Sequence, residues 1–244
     1  MDHTQPVAAG SPRRGLPGRD RAERLHRLRE PLNAGRLGYS GNVTANVPYF
    51  SQWESPELAA EFIDGSRRAA DDPRWAASGA STPEEYEFWS RKVCGLACLK
   101  MIMAWRGLPV PPTMRLVERA LAAGAYLPDG ERVRGLIYRP FTDWVGAEYG
   151  IAAEVAADLP MDSLIALAAA GSPVIASVHS WIRWPGRIPP ERGGHLVLVT
   201  GVSGGALKLH NPSGIYRVSQ RNALVRPDDF ARFAAGRGIV IREA

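Results

Sequence analysis

Val93-Cys94-Gly95-Leu96-Ala97-Cys98-Leu99-Lys100-Met101-Ile102-Met103-Ala104-Trp105 is the stretch from which the rest of the chain can be read. Apolar residues recur in it at steps of three and four, with Leu96, Leu99 and Met103 in one set and Ala97, Met101 and Ala104 in another. The spacing predicts a buried helix from Cys94 to Arg106. A cysteine at a helix start lies beside unpaired N–H groups and the positive end of the dipole, and both favour the nucleophilic thiolate. Gly95 leaves room for another chain, a substrate, to approach the sulfur. Far downstream, Gly193-Gly194-His195-Leu196-Val197-Leu198-Val199-Thr200 reads as a histidine opening an apolar strand. Leu209-His210-Asn211-Pro212 closes the next strand, after the hairpin turn Ser203-Gly204-Gly205. Paired antiparallel, the start of one strand and the end of the other lie side by side, where Asn211 can orient the His195 ring.

Cysteine, histidine and asparagine in this order resemble a papain-like cysteine peptidase of the bacteriocin-processing, double-glycine leader peptidase type, the cysteine-peptidase family thirty-nine-like group. Val47-Pro48-Tyr49-Phe50-Ser51-Gln52 resembles that family's entry strand, which ends in an oxyanion-hole glutamine. Cys94-Gly95-Leu96-Ala97 resembles its nucleophile motif and Gly194-His195-Leu196-Val197-Leu198-Val199-Thr200-Gly201 its histidine strand. Asn211-Pro212 stands where the family usually has Asp-Pro. The similarity runs over residues 43–242 and is weakest between Gln52 and Cys94.

The resemblance implies an α+β, papain-like cysteine-peptidase fold: a helical half with the nucleophile helix, packed on an antiparallel sheet that carries His195 and Asn211. In the chemistry it implies, Cys94 attacks a carbonyl, His195 takes and returns the proton, and Asn211 holds the imidazole. Gln52 and the Cys94 backbone N–H then stabilise the oxyanion. The substrate would be a peptide or amide, with Gly95, Gly194, Trp181 and Trp184 as residues expected to contact it, and no cofactor or metal is called for. Water as acceptor makes a peptidase or amidohydrolase, such as one maturing a peptide natural product. An amine makes a transpeptidase or N-acyltransferase, and the sequence does not choose. Family members linked to transporters carry membrane and ATPase domains, neither of which is read here. Two alternatives stand beside the enzyme. One is the same fold kept as a non-catalytic peptide-binding module, which the basic N-terminus and the tryptophans would suit. The other is a zinc site made by Cys94, Cys98, His195 and His210, although structural zinc sites usually show closer ligand pairs at both ends.

Composition narrows the classes. The 244 residues carry a formal charge of +5, much of it from arginines in the N-terminal forty residues, with no base-stacking motif to suggest nucleic acid. No apolar run approaches the roughly 20 residues of a membrane span. The two cysteines lie one helical turn apart and are poorly aimed for a disulfide, as suits a reducing compartment. Arg13-Arg14 is followed by no apolar segment, so a cytoplasmic protein without a signal peptide is expected. Residues 1–42 read as a disordered or loosely docked basic arm, open to docking an acidic partner. Residues 43–244 read as the peptidase-like domain.

Within that domain the expected elements are a strand over Asn46–Ser51, a helix from an N-capping Ser55 to Asp64, and a polar loop over Asp71–Ser81. A helix should then open on the capping box Thr82-Pro83-Glu84-Glu85. The segment 53–93 is either a lid, a recognition insert or a plain surface insertion. Helices over Thr113–Gly124, Gly135–Tyr149 and Met161–Ala170, a loop over Tyr126–Arg134, and strands over Ile151–Ala157 and Val174–Val178 follow. His179 ends a strand, and the loop from Ser180 to Arg192 holds Trp181 and Trp184, as a substrate wall or as cover for the sheet edge. Beyond His195 the expected strands are His195–Val202, Ala206–His210, Ile215–Ser219 and Gly238–Arg242, with a short helix opening at Pro227. His210 is expected to point away from the His195 side.

Overall fold

The computed structural model describes residues 43–44, 46–130 and 132–242, so the arm expected over 1–42 lies outside the described residues. The helices are α1 (Ala59–Asp64), α2 (Pro83–Ser90), α3 (Cys94–Trp105), α4 (Thr113–Ala122), α5 (Tyr138–Tyr149), α6 (Met161–Ala169) and α7 (Pro227–Phe233). The strands are β1 (Val43–Thr44), β2 (Tyr126–Asp129), β3 (Arg132–Gly135), β4 (Ala153–Ala156), β5 (Val174–Val178), β6 (His195–Ser203), β7 (Ala206–His210), β8 (Ala223–Val225) and β9 (Ala234–Ile241). One antiparallel sheet runs in the order β4-β9-β5-β6-β7-β8, and β1 pairs with β6 at Val202 and Gly201, beyond its ladder with β5. β2 and β3 form a separate hairpin. The fold is therefore α+β with antiparallel sheets.

The sheet is covered on both faces. Leu196, Leu198, Ile175, Ile239 and Ile241 join the core built on α3, α4 and α5. Their strand neighbours Val197, Val199, Val174, Ala176 and Val240 join a second core with Leu164, Ile165, Phe230 and Phe233 of α6 and α7. Double burial explains why β6 reads as an unbroken apolar run and not as an alternation. The helix α3 is buried from Gly95 to Met103, as expected for a segment apolar on all sides. Each large side chain such as Leu96, Leu99 or Ile102 contributes about 1.5–3 kcal/mol by leaving water. Lys100 is buried within this helix and donates to Thr113 Oγ1 at 3.1 Å.

The segment after Gln52 builds a small core of its own from Trp53, Ala59, Phe62, Ala69 and Tyr86. Its centre is the buried Asp72. The Oδ2 atom accepts from Ser55 N–H at 3.0 Å and Tyr86 O–H at 2.6 Å. The Oδ1 atom accepts from Ser55 Oγ–H at 2.5 Å and Arg74 N–H at 2.9 Å.

Several expected elements are corrected. Ser55 does not cap a helix; its hydroxyl is committed to Asp72. The Asp71–Ser81 stretch is not a plain polar loop, since it contains the 3₁₀ turn Trp75–Ser78 and begins at the last residue of another, Ala69–Asp71. Thr82 accepts from Glu85 N–H as a capping box requires, but the Glu85 carboxylate reaches back to Ser81 N–H, one residue earlier than expected. Residues 46–51 lie in no ladder; Val47 O, Tyr49 O–H and Ser51 Oγ–H bond to the segment 210–212 instead. Tyr126–Arg134 is a hairpin, with Asp129-Gly130 at its turn and Gly130 at φ 59°. Ile215–Ser219 is a turn: Ser219 N–H and Val218 N–H both donate to Ile215 O at 2.9 Å, and Arg217 is left-handed at φ 59°. The strand that pairs with β7 lies further on, at β8.

Candidate active site

Helix α3 begins at Cys94, with Val93 before it and no side chain capping its first turn. The sulfur is half-buried and lies against the N–H groups of Leu196, Gly95 and Cys94 itself. Those donors favour the thiolate, but burial outweighs them and pushes the thiol above its ordinary range. A methyl at Gly95 would meet Leu136 Cδ2 at 2.9 Å and Leu196 Cδ1 at 3.0 Å, so a side chain there would have to displace the tips of these two leucines. Cys98 is fully buried in the main core and, like Cys94, is a free thiol.

His195 opens β6 one residue before the Leu196 amide that touches the sulfur. The residue is 6% exposed. The Nε2–H donates to Asn211 Oδ1 at 2.8 Å, and Ser213 N–H donates to the same oxygen at 3.0 Å. Two donors converging on one atom fix it as the amide oxygen, and with it the tautomer: Nε2 carries the proton and Nδ1 keeps a free lone pair. His195 has the strand parity of Val197 and Val199, and Asn211 that of Leu207 and Leu209, so both belong to the same face of the sheet. His210 has the opposite parity. It donates through Nε2 to Val47 O at 2.8 Å and accepts at Nδ1 from Asn222 N–H at 3.0 Å. Both its nitrogens are therefore committed, and it is a structural residue. Burial, then the nearby Arg183 charge, lowers the His195 pKa from 6.5 to about 3, against the opposing pull of Asn211. Both shifts favour the neutral forms, the thiol at Cys94 and the imidazole at His195.

Gln52 is held in place by the same loop that carries Asn211. Its N–H donates to Pro212 O at 3.0 Å, Ser51 Oγ–H donates to the same carbonyl at 3.0 Å, and Tyr49 O–H donates to Asn211 O at 3.1 Å. The loop closes on itself where Asn211 N–H meets Gln220 O at 2.8 Å and Gln220 Nε2–H meets Gly214 O at 3.1 Å. Among the described residues the Gln52 side-chain amide makes no hydrogen bond.

A cleft of about 400 Å³ brings Cys94, His195, Gln52, Gly194 and Ser213 together. Four of the sequence-predicted residues thus share it, while Asn211 stands behind His195. Gly95, Trp181 and Trp184 are not part of its lining. Trp181 packs by its edge on His179 and partly into the second core, and Trp184 stacks on Arg183 and Arg187. His179 caps the short turn Ser180–Arg183 by accepting Trp181 N–H at 3.2 Å. Three contributors were not singled out from sequence. Ser213 sits two residues past Asn211, with its Oγ 3.1 Å from His195 Nε2. Arg183 donates from Nη2 to that Oγ at 2.7 Å. The β2–β3 hairpin closes one side through Tyr126 and Val133, and the Asp-Gly turn was the signal for it.

No protein-family model and no curated protein matches this chain. Among the described residues, no helix is long and apolar enough to cross a membrane. No group of three or more His, Cys, Asp or Glu among them is placed to hold a metal ion.

Proposed function

We propose that this chain is a cysteine-dependent acyl-transfer enzyme of papain-like architecture, acting on peptide or amide bonds through Cys94, His195 and Asn211. The observation that carries the reading is the His195 Nε2–H bond to Asn211 Oδ1 at 2.8 Å, which leaves Nδ1 as the free base in a cleft shared with Cys94. Cys94 attacks the carbonyl carbon as its proton passes to His195 Nδ1. The carbonyl oxygen, now negative, accepts from the Gln52 amide and the Cys94 N–H. Collapse breaks the C–N bond, the leaving amine takes the proton from Nδ1, and a thioester remains on Cys94. A water or an amine then gives its proton to Nδ1, attacks the thioester and releases the thiol.

Asparagine in place of aspartate fits a pair that rests neutral: the base is oriented without being charged, and proton transfer occurs as the bond forms. Timed labelling with limiting iodoacetamide, read by mass spectrometry, tests the assignment. Cys94 is expected to be labelled in the native chain and Cys98 only on unfolding. The Cys94 rate should rise with pH past the ordinary thiol range near 8.5, without a low-pH plateau. Equal labelling of the two cysteines in the folded chain would remove the single-nucleophile reading.

A further inference from the structure

Arg183 is 8% exposed and lies in the lining of the cleft. Of its five N–H donors, one Nη2 hydrogen meets Ser213 Oγ, and the buried Nε meets no hydrogen-bond acceptor among the described residues. Its guanidinium stacks on Trp184 at 5.3 Å, and no carboxylate among the described residues pairs with it. Burial lowers its pKa to about 10, so it stays charged at neutral pH. Lys92 lines the same cleft. It is held by Phe88 O at 2.8 Å and by the Phe88 ring at 3.6 Å, again without a carboxylate. Arg91, also in the lining, has Glu87 at 3.7 Å. No Asp or Glu is among the described residues that line the cleft. A buried cation without its counter-ion is costly to keep, and a site that keeps one beside its base is built for a ligand that supplies the opposite charge.

We propose that the cleft binds a carboxylate of its substrate at Arg183, in the field of Lys92, so that the enzyme selects peptides that present a carboxylate there. This rests on the reading of the cleft as a peptide-acyl site. The carboxylate has two sources in a peptide: its free C-terminus or a Glu or Asp side chain. Either would neutralise Arg183, whose charge opposes protonation of His195. Binding the right substrate would then favour the imidazolium that forms as Cys94 gives up its proton, which links recognition to activation of the thiol.

The test is calorimetric titration of the full chain carrying Cys94→Ala, so that binding is read without turnover. The probes are acetyl-dialanine, the same compound as its C-terminal amide, and an acetyl-glutamyl-alanine amide. At least one carboxylate probe is expected to bind about tenfold or more tightly than the neutral amide. A gain confined to acetyl-dialanine assigns the terminus, and one confined to the glutamyl probe assigns the side chain. Arg183→Gln should erase the gain and Arg183→Lys should keep most of it. Equal binding of all three probes, or none, overturns the proposal, and so does a gain that survives Arg183→Gln. The three-probe comparison decides even where Arg183→Gln fails to fold. Loss of selective Cys94 labelling would sink the enzyme reading and leave these affinities unchanged, whereas equal affinities would sink the carboxylate site and leave the labelling unchanged.

Discussion

At the scale of single residues, the balance between burial and hydrogen bonding decides the protonation state of Cys94 and His195, the proposed nucleophile and base. Cys94 has three N–H groups near its sulfur and is still driven towards the neutral thiol. His195 is held neutral down to about pH 3 when folded and protonates near 6.5 when exposed. Between those values the unfolded chain binds the extra proton. Stability from this residue is therefore complete above pH 6.5 and is lost as the pH falls towards 3, by about 1.4 kcal/mol per unit. His195→Gln is expected to lose less stability than the unsubstituted chain between pH 7 and 5, measured by urea unfolding. Parallel losses would show that His195 is not kept neutral by the fold. Cys94, His195, Asn211 and Gln52 were legible because their neighbours carry strong patterns: an apolar helix, a glycine-led strand, a strand end. Arg183 and Ser213 were not, since an arginine between tryptophans and a serine in a turn acquire meaning only when the fold places them beside the imidazole.

At the scale of elements, the periodic pieces were readable and the turns that connect them less so. Helix α3 runs over 94–105 and strand β5 over 174–178, close to their predicted bounds, because each is buried on every side. Ile215–Ser219 has a strand's composition, yet Tyr216 and Val218 are exposed and the segment folds into the loop that holds Asn211. Its apolar residues answered to no core, which periodicity alone does not reveal. The segment 46–51 failed as a strand for the opposite reason: its partners are side chains and loop carbonyls, not a ladder. The insert 53–93 depends on Asp72, whose two oxygens accept four hydrogen bonds within a buried site. Asp72→Ala is expected to destabilise the chain by about 3 kcal/mol in urea unfolding, since it leaves buried donors unpaired. A loss under about 1 kcal/mol would mean the small core of Trp53, Phe62 and Tyr86 holds the insert without it. The insert matters to the site because it contributes Trp53, Ile63 and Lys92 to the cleft.

At the scale of the molecule, one sheet covered on both faces serves as the frame. The α3 side supplies Cys94 and the strand pair β6–β7 supplies His195 and Asn211, while the segment 46–53 is tied to the loop after β7 and delivers Gln52. Residues separated by more than a hundred positions are thus held by few bonds to one loop, 210–213. The α+β class with an antiparallel sheet was readable from the order of elements; cover on the second face by α6 and α7 was not anticipated as a separate layer. The claim on which the whole reading turns is that Cys94 accepts an acyl group with His195 as base. The direct measurement is acylation by p-nitrophenyl acetate, with release of nitrophenolate timed and the acetylated residue located by mass spectrometry in the unsubstituted chain, Cys98→Ala and His195→Ala. A thioester on Cys94 is expected, formed at nearly the same rate in Cys98→Ala and about 10²–10⁴-fold more slowly in His195→Ala. Acetyl groups found elsewhere, or an unchanged rate without His195, would contradict it.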